Sequence, residues 1–430
     1  MTDSQGDTIF ALSSGAPPAG IAVIRISGPS AGSALHALAH RLPAPRTASL
    51  ALLKDPRDDS PLDRALLLWL PGPATVTGED MAELHCHGGR AVIAAVEDVL
   101  SAMSGLRRAQ AGEFTRRAFD HGRMDLNAVE GLSDLLAAET QGQHRAALLM
   151  AEGHFSRRID NWRETLLTLS AMAEAALDFS DEDDVPDAAI DERIGAGIAD
   201  LARDVAAVLD APSAERLRDG VRVVLAGPPN AGKSTLLNAL VGREAAIVSD
   251  IAGTTRDRIE VPAAIGGTAF LFTDTAGLRA QAGDAIEAIG IDRARTAMDA
   301  ADIILWLGDP AELPRDDALL IAAQSDRNDT PRPGLGLSAR TGEGMDGLVT
   351  LLLDRAAALL PGEGDYALHA RQRRRVGQLL DHLHAAVATR DLLIIAEDLR
   401  LARHGIDALT GQAGTEDMLD RLFSGFCIGK

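Results

Sequence analysis

The residues best suited to chemistry lie near the middle of the chain. Gly227-Pro228-Pro229-Asn230-Ala231-Gly232-Lys233-Ser234 is a G-x-x-x-x-G-K-S run. It follows the apolar Val221 to Ala226 and precedes the helix-like Thr235 to Leu240, the strand-loop-helix setting that this motif requires. Glycines in such a loop let backbone N–H groups wrap phosphates, and the start of the helix favours anions. Lys233 suits the β and γ oxygens, and Ser234 suits a magnesium ion. Asn230, Ala231, Gly232, Lys233, Ser234 and Thr235 are therefore the expected phosphate contacts, but the loop alone does not separate ATP from GTP.

The order of the following segments points to guanine. Gly253-Thr254-Thr255-Arg256-Asp257 reads as a loop in which Thr255 can offer a second magnesium ligand and sense the γ-phosphate. Asp274-Thr275-Ala276-Gly277 closes the apolar Ala269 to Phe272 as D-x-x-G, with Asp274 placed to hold magnesium through water and Gly277 to meet the γ-phosphate. Ser338-Ala339-Arg340 comes last and suits backbone support of the base. The expected N-K-x-D reads instead Ala323-Gln324-Ser325-Asp326. Asp326 can accept hydrogen bonds from guanine N1 and N2, but the usual Asn and Lys contacts are missing. Losing polar partners of that kind costs about 1 to 3 kcal/mol each, so weaker or less selective guanine binding is expected. Leu278, directly after Gly277, cannot orient a water, which leaves Asp284 and Glu287 as nearby candidates.

The elements that must position these groups read as several domains, since 430 residues exceed the usual single-domain size. Short apolar runs with Gly and Pro punctuation suggest an α/β domain over residues 1–119. Val129, Leu132, Leu135 and Leu136 recur at helical spacing, opening a helical region over 120–215. Compact strands alternating with helices mark a Ras-like P-loop domain with a parallel sheet over 216–360. Helical pattern returns over 361–430, so an α/β domain inserted into a helical one, with the helical halves packed together, is the simplest topology. The acid-rich stretch from Asp178 to Asp187 reads as an exposed loop.

A formal net charge of -21 argues against a broad electrostatic grip on nucleic acid. Local basic clusters at Arg116 with Arg117 and from Arg371 through Arg375 are the candidates for RNA contact, against the commoner state of a solvated helix face. No apolar run reaches the roughly 18 residues of a membrane span, and polar Met1 to Gly6 resembles no export signal, so a cytoplasmic protein is expected. With only Cys86 and Cys427, a disulfide framework is excluded and a reducing compartment fits. Adjacent His85, Cys86 and His87 invite a zinc reading, which fails because strand neighbours face opposite ways and no second ligand pair follows at zinc spacing.

Beyond the central motifs, the chain resembles the MnmE (TrmE) family of bacterial tRNA modification GTPases from end to end. The stretches that carry the likeness are Gly20 to Gly28, Thr77-Gly78-Glu79-Asp80 through Glu83 to His87-Gly88-Gly89, and Gly112-Glu113-Phe114-Thr115-Arg116-Arg117-Ala118-Phe119. They continue through Gly227 to Asp257 and end with Phe426-Cys427-Ile428-Gly429-Lys430. The resemblance implies a homodimer formed through N-terminal domains, with G domains meeting across it when GTP and potassium bind. It assigns nucleotide contact to the loop Ser249, Asp250, Ile251, Ala252, Gly253 and Thr254. Asn230, Ser249, Ile251 and Thr254 would hold potassium, which replaces an arginine finger, and Glu287 would orient the water as the catalytic residue. It further implies a tetrahydrofolate one-carbon donor at Arg25, Glu83, Arg123 and Lys430, Arg123 standing where the family often has Lys. Cys427 matches the family's C-terminal cysteine, whose reactive role competes with that of an inert thiol. The implied product is a carboxymethylaminomethyl-type group at C5 of the wobble uridine of certain tRNAs, made with the FAD-dependent partner MnmG. A ribosome-assembly or signalling GTPase switch is the alternative.

Overall fold

A computed structural model describes residues 6–178, 187–212, 214–244, 260–275, 294–327, 333–362, 364–411 and 416–429. The chain divides into two compact units, Met1–Ser133 with Thr410–Lys430, and Asp134–Leu409.

The first unit is built on a six-stranded sheet. Its spatial order is Ser49–Lys54, Pro61–Leu70, Met81–Gly88, Ala19–Ser27, Thr8–Leu12 and Leu106–Arg108, antiparallel except for the last pair. Alternation along the strands sends Leu67, Leu84, Cys86, Ile24 and Ile26 inward against the helices Ala31–Ala39 and Arg90–Ala102, where they are buried with Leu35, Leu38, Val96 and Leu100. The other face is left apolar in part, with Leu50 56%, Leu52 40% and Leu66 38% exposed. Near the end of the expected second helical segment, 361–430, Leu419, Phe423 and Phe426 pack in the first unit with Leu126 and Val129, which open the expected first segment, 120–215. Their side chains fill an apolar gap beside the helix Leu126–Ala137, a long-range pairing that helical periodicity does not reveal.

In the second unit, the helices His154–Asp178, Asp187–Asp210, Ala370–Ala388 and Leu392–Thr410 share one core. Phe155, Ile159, Trp162 and Leu166 from before the inserted domain meet Val376, Leu379, Leu383 and Leu399 from after it. The inserted sheet runs Leu335–Leu337, Leu319–Ala323, Ile303–Trp306, Val221–Ala226, Thr268–Asp274 and Glu260–Ile265, parallel except for the antiparallel last strand. Val221–Ala226 pairs on both edges and is buried at five of its six positions, which is why it reads as a nearly unbroken apolar run.

The basic runs have partners within the protein. Arg117, 5% exposed, is held by Asp7, Glu79 and Glu113, and Arg116 pairs with Asp420 over the Phe423 ring. Burial pushes the Glu113 carboxyl up, but hydrogen bonds from Arg107 and the Gln110 amide outweigh it and hold the group below its usual range. In the second run, Arg373 donates to the carbonyls of Leu209 and Ala211 at 2.7 Å each, satisfying groups at the end of the helix Asp187–Asp210. Arg374 and Arg375 are exposed. Arg373→Ala is expected to lower unfolding stability by about 1–3 kcal/mol in urea titrations, whereas Arg374→Ala stays within about 0.5 kcal/mol of the parent.

Candidate nucleotide site

The site gathers at the C-terminal ends of the parallel strands, where an open α/β sheet presents its loops. Gly227 follows Val221–Ala226 with φ +145, and a Cβ there would come within 3.1 Å of the Leu307 backbone, so only glycine fits between the two strand ends. The loop then turns through Asn230 at φ +62, and the helix Lys233–Glu244 begins. Lys233 is buried, and its Nζ donates to the carbonyls of Gly227 at 2.9 Å and Pro228 at 2.7 Å, which keeps the ammonium inside the turn of the loop. Ser234 Oγ donates to Asp274 Oδ2 across from the neighbouring strand. Thr275 is buried and its hydroxyl donates to Leu225 O at 2.9 Å, locking the end of that strand to the central one. Ala231 is half-buried and Thr235 is exposed on the first helical turn.

Asp326 stands in a short turn after Leu319–Ala323, and buried Ser338 donates to its Oδ1 at 2.7 Å. That hydrogen bond holds the Asp326 carboxyl below its usual range, so it remains an ionised acceptor at neutral pH. The Ser338 Oγ in turn accepts from Thr341 N at 3.2 Å, which fixes the turn carrying half-buried Ala339 and exposed Arg340. Between the phosphate loop and these strand ends lies a cleft of about 500 Å³, lined by Pro228, Asn230, Leu307, Ala322, Ala323 and Gln324. The structure thus brings together Asn230 to Thr235 with Asp274 and Thr275, and pairs Asp326 with Ser338. Ser249, Asp250, Ile251, Ala252, Gly253, Thr254, Thr255, Ala276, Gly277, Asp284 and Glu287 lie outside the described residues, as does the acidic stretch 179–186.

In the first unit, Arg25 and Glu83 face each other on paired strands, with Arg25 Nε at 3.1 Å from Glu83 Oε1. His85 Nε2 lies 3.2 Å from the other oxygen of Glu83. Arg123 donates to Thr75 O at 3.1 Å on a separate loop, and Lys430 lies outside the described residues. Exposed Cys427 sits on a strand-like tail, its carbonyl receiving Gly112 N and its neighbour Ile428 bridging to Ala111. A contributor that motif reading did not single out is Gln143. Besides closing a capping box with Thr140, it donates from Nε2 to the carbonyls of Leu217 and Arg218, at the end of the helix Ala214–Asp219 that leads into the nucleotide domain. The T-x-x-Q spacing from Thr140 signals the box, and nothing local signals the second bond.

Comparison with known proteins decides the family. The model of the MnmE helical domain matches residues 126–427, and that of the GTP-binding protein TrmE N-terminus matches residues 8–123. The chain belongs to the MnmE family of tRNA modification GTPases. A tRNA modification GTPase MnmE of Rhizorhabdus wittichii is 62% identical, over 99% of this chain and 97% of that protein. One from Novosphingobium aromaticivorans is 57% identical, over 99% of this chain and 100% of that protein. Among solved structures, the G domain of the T. maritima FeoB iron transporter is 23% identical and covers 32% of this chain and 98% of that one, at a TM-score of 0.24, too low to carry an argument. Membership makes the chain a GTP hydrolase of tRNA modification, a family role that the loop, Lys233 and the Ser234 to Asp274 pairing suit. Among the described residues no helix is long and apolar enough to cross a membrane.

The two thiols differ in environment. Burial, with a smaller effect from the Asp63 charge, pushes the Cys86 thiol up to about 12. Ellman's reagent at pH 8 is expected to modify one thiol per native chain, and none in Cys427→Ser; rapid labelling of Cys86 in the native protein would contradict its burial.

Proposed function

We propose that this chain hydrolyses GTP with magnesium and potassium bound. Acting with an FAD-dependent flavoprotein of the MnmG type, it would install a carboxymethylaminomethyl-type group at C5 of the wobble uridine of certain tRNAs. The observation that carries the hydrolytic part is the meeting of Ser234 and Asp274 beside the buried Lys233. A hydroxyl at the start of a helix and a carboxylate at a strand end are the donor set that magnesium takes in phosphate-loop enzymes. Thr255 would complete it. Held by these residues, magnesium would supply positive charge against the charge that develops on the phosphates.

The chain's own groups then have distinct tasks. Lys233 and the amides of the loop bind phosphate oxygens, and Asp326 accepts from guanine N1 and N2. The backbone at Ser338, Ala339 and Arg340 supports the base. Glu287 orients the attacking water, a role that Leu278 cannot perform. Asn230 with Ser249, Ile251 and Thr254 would hold potassium, which supplies the positive charge an arginine finger gives elsewhere. Asn230 suits this because it is exposed on the loop and its short side chain carries an amide oxygen.

The first unit supports a dimer and a folate site. Strand register sets Leu50, Leu66, His85 and Val23 in one row, with the Arg25–Glu83 pair two residues along on the same face. A second copy covering that face would bury exposed leucines and enclose the charged pair, and Arg25 and Glu83 would there hold a tetrahydrofolate one-carbon donor. Arg123 and Lys430 would add charge, and Cys427 remains a candidate reactive thiol. On this reading residues 1–119 carry folate binding and dimerisation, 216–360 the nucleotide chemistry, 120–215 and 361–430 the helical frame, and the protein works in the cytoplasm.

GTP and ATP hydrolysis measured in potassium and in sodium tests the first part. Guanine-preferring turnover that falls at least tenfold in sodium or in Asn230→Ala, and is abolished in Lys233→Ala, is expected; turnover indifferent to cation and base would sink the reading. For the dimer, light scattering should give twice the chain mass for the parent and the single chain mass for Leu50→Glu with Leu66→Glu. An unchanged mass would place the interface elsewhere.

A further inference from the structure

Where the family's guanine-reading segment is expected to carry Asn and Lys, this chain has Ala323 and Gln324, and the geometry of Gln324 is unusual. It follows the last strand residue with φ +62, a left-handed conformation that a non-glycine side chain adopts at a cost. Its carbonyl accepts from Arg327 N at 3.0 Å, closing the turn that carries Asp326. Its side chain reaches the other way: a Cβ built on Gly232 would lie 3.2 Å from Gln324 Nε2 and 3.9 Å from its Cγ. One residue therefore touches the phosphate loop through its side chain and shapes the base-reading turn through its backbone. Ala323 beside it is too short to span the cleft.

We propose that Gln324 is the positioning residue for base selectivity in this chain, its carboxamide, seated on Gly232, fixing the distance between the phosphate loop and Asp326. This rests on the nucleotide reading above. An uncharged amide gives that support through contact and hydrogen bonding rather than through charge. Among the described residues, chain neighbours apart, Gln324 supplies the only side-chain atoms within 4 Å of a Cβ built there. Shortening the side chain then frees the turn to shift against the phosphates, and discrimination by Asp326 suffers first, because the geometry of its two bonds to guanine depends on that distance.

The test is competition of GDP and ADP against a fluorescent guanine nucleotide on the full-length chain, for the parent, Gln324→Ala, Gln324→Glu and Gln324→Lys. The parent should prefer GDP; if it binds neither nucleotide, the nucleotide reading itself fails. Given binding, Gln324→Ala should lose about tenfold in GDP affinity and less in ADP affinity, narrowing the ratio. Gln324→Lys, long enough to reach Gly232, should restore the ratio. Gln324→Glu keeps the size of the side chain but sets a negative charge against the phosphates, so it should weaken both nucleotides with the ratio kept, and it serves also if the alanine variant fails to fold. A ratio unchanged in Gln324→Ala, or equal losses for GDP and ADP there, would overturn the proposal, since support of the phosphate loop alone is blind to the base.

Discussion

The two hydrogen bonds from Arg373 to the carbonyls of Leu209 and Ala211 join the place where the chain leaves the helical core to the place where it returns. Between them lie the linking helix Ala214–Asp219 and the inserted nucleotide domain. Both flanks contribute to the helical core, so the core closes only if those two points stay adjacent. Ala214 N donating to Leu368 O at 3.3 Å, and small Ala146, Ala214 and Ala367 packed together, let the crossing be tight. The closure entropy of a long insertion grows only slowly with its length, so a few well-placed bonds at the neck suffice.

From that neck the nucleotide domain is held by its own linker. The helix Ala214–Asp219 is fastened on one side by Gln143 and on the other by Arg216, whose Nε donates to Asp302 Oδ1 at 2.7 Å. Asp302 precedes the strand Ile303–Trp306, and its second oxygen accepts from Arg222 N at 3.0 Å. The strands so anchored, Val221–Ala226 and Ile303–Trp306, are the ones that end at Gly227 and Leu307 beside the phosphate loop. Rigid parallel strands thus connect the helical frame to the chemistry.

Charge follows the same economy of position. A chain of net charge -21 keeps several of its clustered arginines for internal use, capping helix ends or neutralising half-buried carboxylates. Burying Arg117 demands all of its acidic partners, because an unmatched guanidinium away from water is costly. Arg374 and Arg375, in contrast, are exposed and are left for contact with a polyanion.

Local chemistry was legible in the sequence wherever a motif encodes its own backbone. The run from Gly227 to Ser234, between an apolar strand and a helix, specified the phosphate loop, because glycine placement and the helix start are properties of neighbouring residues. Helical periodicity likewise revealed the frame, and the order of motifs together with the family likeness revealed the family. Tertiary structure decided what depends on residues far apart in the chain. It sent Leu419, Phe423 and Phe426 to the first unit, turned Arg117 and Arg373 from candidate RNA contacts into internal partners, and seated Gln324 on Gly232. Those outcomes rest on burial and hydrogen-bond pairing across the fold, and no window of sequence contains both members of such a pair.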